Sequence, residues 1–169
     1  GTSEVLVSQR TWVIENTSAD PTEGSWIDKG QIYHAGENFW AIDGSVFQLG
    51  GKQYFLWSGH SNASNTVQNI YIAEMSSPLT LTGARVMLSS PEYVWERNGE
   101  INEGPAVVHK NGKVFLVYSA SGCWTDEYAL GMLTMNASDN PLDKSSWTKS
   151  AQPVFSKDPG VLAFGPGHN

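Results

Sequence analysis

The chain has 169 residues, of which 40% are hydrophobic and 16% charged, with 7 Trp, 6 Tyr, 6 Phe and a formal net charge of -7. That is too apolar and aromatic for a disordered segment, and long enough for one domain with a real core. Its 10 basic residues are scattered rather than clustered, which argues against a nucleic-acid partner, and no apolar run approaches the ~20 residues a membrane-spanning helix needs.

In chain order, Val5-Leu6-Val7 and Trp12-Val13-Ile14 read as strand material, followed by a polar turn over residues 16–24 and a second turn at Lys29-Gly30. Residues 45–49 and 53–57 flank Gly50-Gly51-Lys52, a hairpin signal. A third strand is predicted over 69–74 and a fourth near 84–88. The layout then recurs. Residues 106–109 and 114–118 flank Asn111-Gly112, the dipeptide most characteristic of a type I′ turn, and strands over 129–134 and 147–149 follow. No segment sustains a 3.6-residue apolar period, so very little helix is expected.

The recurrence has a period of about 60 residues. Asp43-Gly44 falls on Glu103-Gly104, Gly51-Lys52 on Gly112-Lys113, and Ile70-Tyr71-Ile72 on Leu130-Gly131-Met132. Four strands per repeat point to an all-β fold of the β-propeller type. Residues 1–33 then form the rear of one blade, 34–92 and 93–160 two whole blades, and 161–169 the start of another. Such a partial propeller exposes sheet faces that need neighbours, as a fragment would. A β-sandwich would also accommodate eight or so short strands, but not the period.

Equivalent positions on the innermost strands of successive blades converge on the propeller axis. By this alignment Asp43, Glu103 and His168 do so, His168 lying in Gly165-Pro166-Gly167-His168 where the next acid-glycine motif would begin. Carboxylates grouped around one cavity suit glycosidic-bond cleavage, in which one acid protonates the leaving oxygen and another carboxylate activates water or attacks the sugar. They suit ligand or metal binding equally well, and spacing alone leaves both open. Trp40, Trp95 and Trp124 are candidate sugar platforms, or else aromatic packing between blades. Arg97, with Asn98, could bind sugar hydroxyls or belong to a solvated turn. His34, His60 and His109 lack metal-ligand spacing, and Cys123, without an internal partner, is expected to be a small buried hydrophobe. Three glycosylation sequons, at Asn16, Asn62 and Asn136, lean towards a secreted protein.

Phe39-Trp40-Ala41-Ile42-Asp43-Gly44, Asn102-Glu103-Gly104-Pro105 and Gly165-Pro166-Gly167-His168-Asn169 resemble three segments of glycoside hydrolase family 43. Ser119-Ala120-Ser121-Gly122-Cys123-Trp124 and Tyr128-Ala129-Leu130-Gly131 resemble that family's fourth blade, so the likeness covers nearly the whole chain. The resemblance implies a five-bladed propeller and an inverting α-L-arabinofuranosidase, β-xylosidase or arabinanase. Glu103 matches the family's general acid and Asp43 the carboxylate that tunes its pKa and orients the sugar. His168 matches an axial histidine that in many members contacts an ion, often calcium; no cofactor is otherwise required. The family's general base is an Asp in an Ala-Asp-Pro type motif of the first blade. Ala19-Asp20-Pro21 copies the letters but falls in a polar turn at an outer-strand position, so the base is expected outside this chain. The remaining blades would come from the same polypeptide or another. The implied protein is an extracellular hydrolase of arabinose- or xylose-containing plant polysaccharide, most simply an α-L-arabinofuranosidase. A non-catalytic carbohydrate-binding propeller and a calcium-binding scaffold are the rivals.

Overall fold

The computed structural model describes residues 8–34 and 36–168, so Val5-Leu6-Val7 lies outside the described residues. Strand β1 (Trp12–Glu15) pairs antiparallel with β2 (Ile27–Gln31). Lys29-Gly30, expected to turn, lies inside β2. The register steps from Val13 opposite Gly30 to Ile14 opposite Asp28, so the pair makes a bulge that kinks the strand without reversing it. Two four-stranded sheets follow. One runs β3 (Ala41–Leu49), β4 (Lys52–Gly59), β5 (Asn69–Ser77) and β6 (Thr80–Ser89). The other runs β7 (Asn102–Lys110), β8 (Lys113–Ala120), β9 (Ala129–Asn136) and β10 (Thr148–Lys149). Both are antiparallel meanders, each strand beside its predecessor, and each is a propeller blade.

The two inner hairpins close as the sequence predicts. Gly50 and Gly51, like Asn111 and Gly112, all have positive φ, as a type I′ turn requires of both central residues. The outer strands differ from expectation. β6 begins at Thr80 and is longer, because three register shifts let it follow β5 round its bend, whereas β10 is only two residues. Helix is confined, among the described residues, to short 3-10 turns such as 94–96, 144–146 and 159–161. None is long and apolar enough to cross a membrane.

β4 and β5 are buried on both faces because each face meets a different layer. Tyr54, Leu56, Ile70 and Ile72 pack against Val114, Leu116, Tyr118 and Leu133 of the second blade. Phe55, Trp57 and Tyr71 point the other way and join Ile32 and Val13 of the β1–β2 ribbon, with rings stacked 5.5 and 5.6 Å apart. Each fully buried Leu or Ile contributes about 1.5–3 kcal/mol, so this double-sided core fixes how the blades stack. Among the described residues nothing covers the outer side of the ribbon in this way: Trp12, Ile14, Trp26 and Ile27 are all exposed.

The inner strands β3 and β7 lie side by side, and the Ser45 hydroxyl donates to the Pro105 carbonyl at 2.5 Å. Two further bonds, from Gln68 N–H to Glu100 O and from Asn102 N–H to Gln68 O, clasp the blades where β7 begins. Antiparallel order therefore gathers the starts of β3 and β7 and the loops 60–68, 90–101 and 121–128 at one end of the molecule.

Candidate active site

Each inner strand carries a β-bulge near its start, between Ile42 and Ser45 in β3 and between Glu103 and Ala106 in β7. Counting back from the hairpins, Lys110 stands level with Leu49, so Gly104 rather than Glu103 stands level with Asp43. The acid-glycine motifs thus superpose as letters but are offset by one residue in space. The offset has a direct consequence. The Gly104 N–H donates to Asp43 Oδ2 at 3.0 Å, tying the two bulges together. Asp43 and Gly104 both adopt left-handed backbone, with φ of 54° and 56°. At position 104 glycine also answers a packing need, since a Cβ there would stand 3.3 Å from the His168 ring.

Glu103 is 9% exposed and faces Ser119 across the ladder. Tyr128, at the end of the 121–128 loop, donates its hydroxyl to Glu103 Oε1 at 2.6 Å. The same hydroxyl lies 3.2 Å from His168 Nδ1, and the His168 N–H donates to Ser119 Oγ at 2.6 Å. Asp43, Glu103 and His168 are therefore brought together, with Tyr128 and Ser119 between them. Burial raises the Glu103 pKa most strongly and the Asp43 charge raises it further; the Tyr128 hydrogen bond and His168 pull the other way without cancelling the rise. Burial also raises the Tyr128 pKa, and the Glu103 hydrogen bond adds to it.

Behind Glu103 lies a fully buried polar cluster. Asn102 spends its side chain on Glu96 Oε1 and on the carbonyl of Ile101, and accepts from Ser89 Oγ at 2.7 Å. Ser58 Oγ donates to the Asn102 carbonyl at 2.9 Å. Glu96 is wholly buried and accepts from Lys149 Nζ at 2.9 Å, Tyr118 Oη at 2.8 Å and the N–H groups of Glu92 and Tyr93. With every polar group satisfied, the cluster pins the residue before Glu103.

The other candidates are dispersed. Trp40 is buried, stacked on His60 at 4.4 Å and bonded through its indole N–H to Gln9, beside a cleft of about 140 Å³ that Arg10, Asn62 and Asn65 help to line. Trp95 packs against the inter-blade core and donates to the Ala151 carbonyl at 3.1 Å. Arg97 is exposed and ion-paired with Glu100. Trp124 is 74% exposed on the loop that carries Tyr128, lying across Gly122. Cys123, expected to be buried, is exposed on that loop, because the chain there leaves β8 and runs over the surface. Asp20 is exposed in the β1–β2 turn, where it accepts from the N–H and hydroxyl of Thr22. Ser119 and Tyr128 open two of the family-like segments without a site role being legible for either, and Glu96 is legible only as one charge in a polar stretch. A Tyr ahead of a strand and a Ser inside one carry no signal of their own, and Glu96 sits among polar neighbours that look solvated.

Calcium takes six to eight oxygen ligands. Among the described residues no three His, Cys, Asp or Glu side chains are placed to hold a metal ion, and His168 offers a single ring nitrogen. These described residues do not fit a calcium site by themselves.

The sequence profile of glycosyl hydrolases family 43 matches residues 2–169. The chain belongs to that family. It is 42% identical over 162 residues to an extracellular exo-α-(1→5)-L-arabinofuranosidase of Streptomyces chartreusis, covering 95% of this chain and 48% of that protein. An enzyme of the same name from Streptomyces avermitilis is 40% identical over 171 residues, covering 100% and 35%. The crystal structure of α-L-arabinofuranosidase from Lactobacillus brevis superposes with a TM-score of 0.89 at 44% identity, over 95% of this chain and 50% of that one. The family 43 chain thus spans half or less of the length of these relatives, and its two blades are part of a propeller.

Proposed function

We propose that these residues are the acid-bearing part of an extracellular exo-acting α-L-arabinofuranosidase that hydrolyses α-1,5-linked arabinose from plant polysaccharide. The observation that carries this reading is Glu103: a buried carboxyl with a raised pKa, at the mouth of an inner strand, beside a second carboxylate from the neighbouring blade. A carboxyl held protonated in this way can donate where a glycosidic oxygen leaves. Glu103 gives its proton to the leaving oxygen as the C1–O bond breaks. Water adds to C1 from the opposite face and loses a proton to an Asp in the part of the relatives' length that this chain does not span, and the anomeric configuration inverts. Asp43 adds to the rise that burial gives the Glu103 pKa and, fixed by Gly104, is oriented to bind sugar hydroxyls. The exposed Trp124 face offers a stacking surface for the sugar beyond the cleaved bond. The units 34–92 and 93–160 act as consecutive blades and the rest of the propeller closes the site. The names of the relatives favour arabinose over xylose.

The test is Glu103→Gln in the whole protein. Turnover of arabino-oligosaccharide should fall by about 10²–10⁴-fold, since the amide has no proton of suitable acidity to give. Hydrolysis of an aryl arabinofuranoside with an acidic leaving group should fall far less. Oligosaccharide turnover within a few-fold of wild type would remove Glu103 from the acid role.

A further inference from the structure

We propose that Tyr128 is a positioning residue for the acid: its hydroxyl occupies Glu103 Oε1, so that the transferable proton resides on Oε2, and His168 Nδ1 holds the hydroxyl in that orientation. The inference rests on the assignment of Glu103 as the general acid. The Tyr128 hydroxyl has one hydrogen and three polar neighbours, Glu103 Oε1 at 2.6 Å, His168 Nδ1 at 3.2 Å and the Ser119 hydroxyl. The shorter contact takes the hydrogen, so the imidazole carries its own proton on Nδ1 and donates it to the phenol oxygen. In that arrangement Oε1 is already an acceptor, and no hydrogen bond from a described residue reaches Oε2.

A carboxyl free to carry its proton on either oxygen, in either rotamer, is in the productive state only part of the time. Here the choice is restricted from two sides. The Tyr128 ring is 4% exposed and is seated against Gly167, where a Cβ would run into it, so the phenol cannot swing away. His168 in turn is held by Ser119, the ladder partner of Glu103, through its backbone N–H. Glu103, Ser119, His168 and Tyr128 close a ring of contacts that ties the acid to the 165–168 segment. The opposite run of protons, from Glu103 Oε1 to the phenol and from the phenol to the imidazole, would turn the acidic proton away from any substrate.

The experiment compares Tyr128→Phe with wild type in the whole protein on two substrates, arabino-oligosaccharide and 4-nitrophenyl α-L-arabinofuranoside. Phe keeps the ring against Gly167, and a melting curve checks that the fold is retained. The expected result is a loss of about tenfold or more in kcat, with KM little changed, on the oligosaccharide, whose leaving group needs the proton. The loss should be under about threefold on the aryl substrate, whose leaving group does not. Ser119→Ala, which removes the hydroxyl that holds the His168 N–H and faces the phenol, should show the same selective loss at smaller size. Equal losses on both substrates would mean a merely structural role, and unchanged or increased oligosaccharide turnover would favour the opposite proton run; either overturns the proposal. Glu103→Gln measured alongside separates the two layers. If it shows the selective loss and Tyr128→Phe does not, the positioning inference fails alone. If Glu103→Gln is itself silent, the acid assignment fails and the inference with it.

Discussion

Lys149→Met is the perturbation for which the structure gives the firmest magnitude. Glu96 has no exposed surface, and Lys149 is the cation that faces it, at 2.9 Å with its own side chain 11% exposed. Met preserves the length of the stem and removes the ammonium. Breaking a buried pair from one side costs about 3–5 kcal/mol, because the remaining charge is left desolvated. Four hydrogen bonds to Glu96 survive, from Glu92 N–H, Tyr93 N–H, Tyr118 Oη and Asn102 Nδ2, which places the expectation at the lower end, about 3 kcal/mol. Urea unfolding should report the loss as a lowered midpoint with an unchanged slope. The pH dependence supplies a second reading. Burial alone would raise the Glu96 pKa, but the hydrogen bonds from Tyr93, Lys149 and Glu92 and the Lys149 charge together bring it below the usual 4.5. Its contribution in the wild type is therefore present above pH 4.5 and is lost as the pH falls through the depressed value. Without Lys149 two of the influences that lower it are gone while burial remains, so the folded pKa should rise and the stability lost on acidification should shrink. Adding Glu96→Gln should restore much of the loss at neutral pH. A single-variant loss under about 1 kcal/mol, or an acid-induced loss as large as in wild type, would refute the view that Lys149 helps to hold Glu96 ionised.

Glu103→Gln should unfold at higher temperature than wild type at pH 7 and at about the same temperature at pH 4. The raised folded pKa of Glu103 means its stabilising contribution is complete only below the unfolded value and is lost as the pH rises through the folded one. Equal melting shifts at both pH values would count against that reading. Asp43→Asn removes a charge that raises the Glu103 pKa while keeping an acceptor for Gly104 N–H, so the alkaline limb of kcat/KM should move to lower pH. A stationary limb would mean that burial alone sets it. Gly104→Ala puts a side chain at φ 56° and 3.3 Å from the His168 ring, so it should cost about 1–2 kcal/mol and reduce oligosaccharide turnover together. Melting and turnover unchanged would show that the bulge relaxes freely. Trp124→Ala, at a 74% exposed position, should leave the melting temperature unchanged and raise KM by about three- to tenfold through loss of stacking. An unchanged KM would place the sugar elsewhere.

Much of the architecture was legible because the features that fix it are local. Gly50-Gly51 and Asn111-Gly112 both supply the left-handed pairs that a two-residue hairpin demands, and the apolar runs on either side state which strands are buried. What sequence could not convey was depth. Glu96 and Arg97 are adjacent charged residues in one polar stretch, yet one is sealed within a hydrogen-bond cluster and the other is exposed beside Glu100. The difference arises from Lys149 and Tyr118, which arrive from β10 and β8, joined by Asn102 at the start of β7. The role of Tyr128 was illegible for the same reason, since its hydroxyl meets Glu103 only after the 121–128 loop folds back over the mouth of the sheet. The repeat itself was read one residue out of step. An alignment of letters pairs Asp43 with Glu103, whereas the ladders, each carrying one bulge, pair Asp43 with Gly104. That offset bears on the chemistry. Asp43 is turned to a backbone N–H, which absorbs part of its charge in a hydrogen bond instead of directing all of it at Glu103. Burial makes the largest contribution to the raised Glu103 pKa and the neighbouring charge a smaller one. An acid kept protonated chiefly by burial depends on whatever covers it, so the seating of Tyr128 and His168 over β7 matters to its acidity as well as to its orientation.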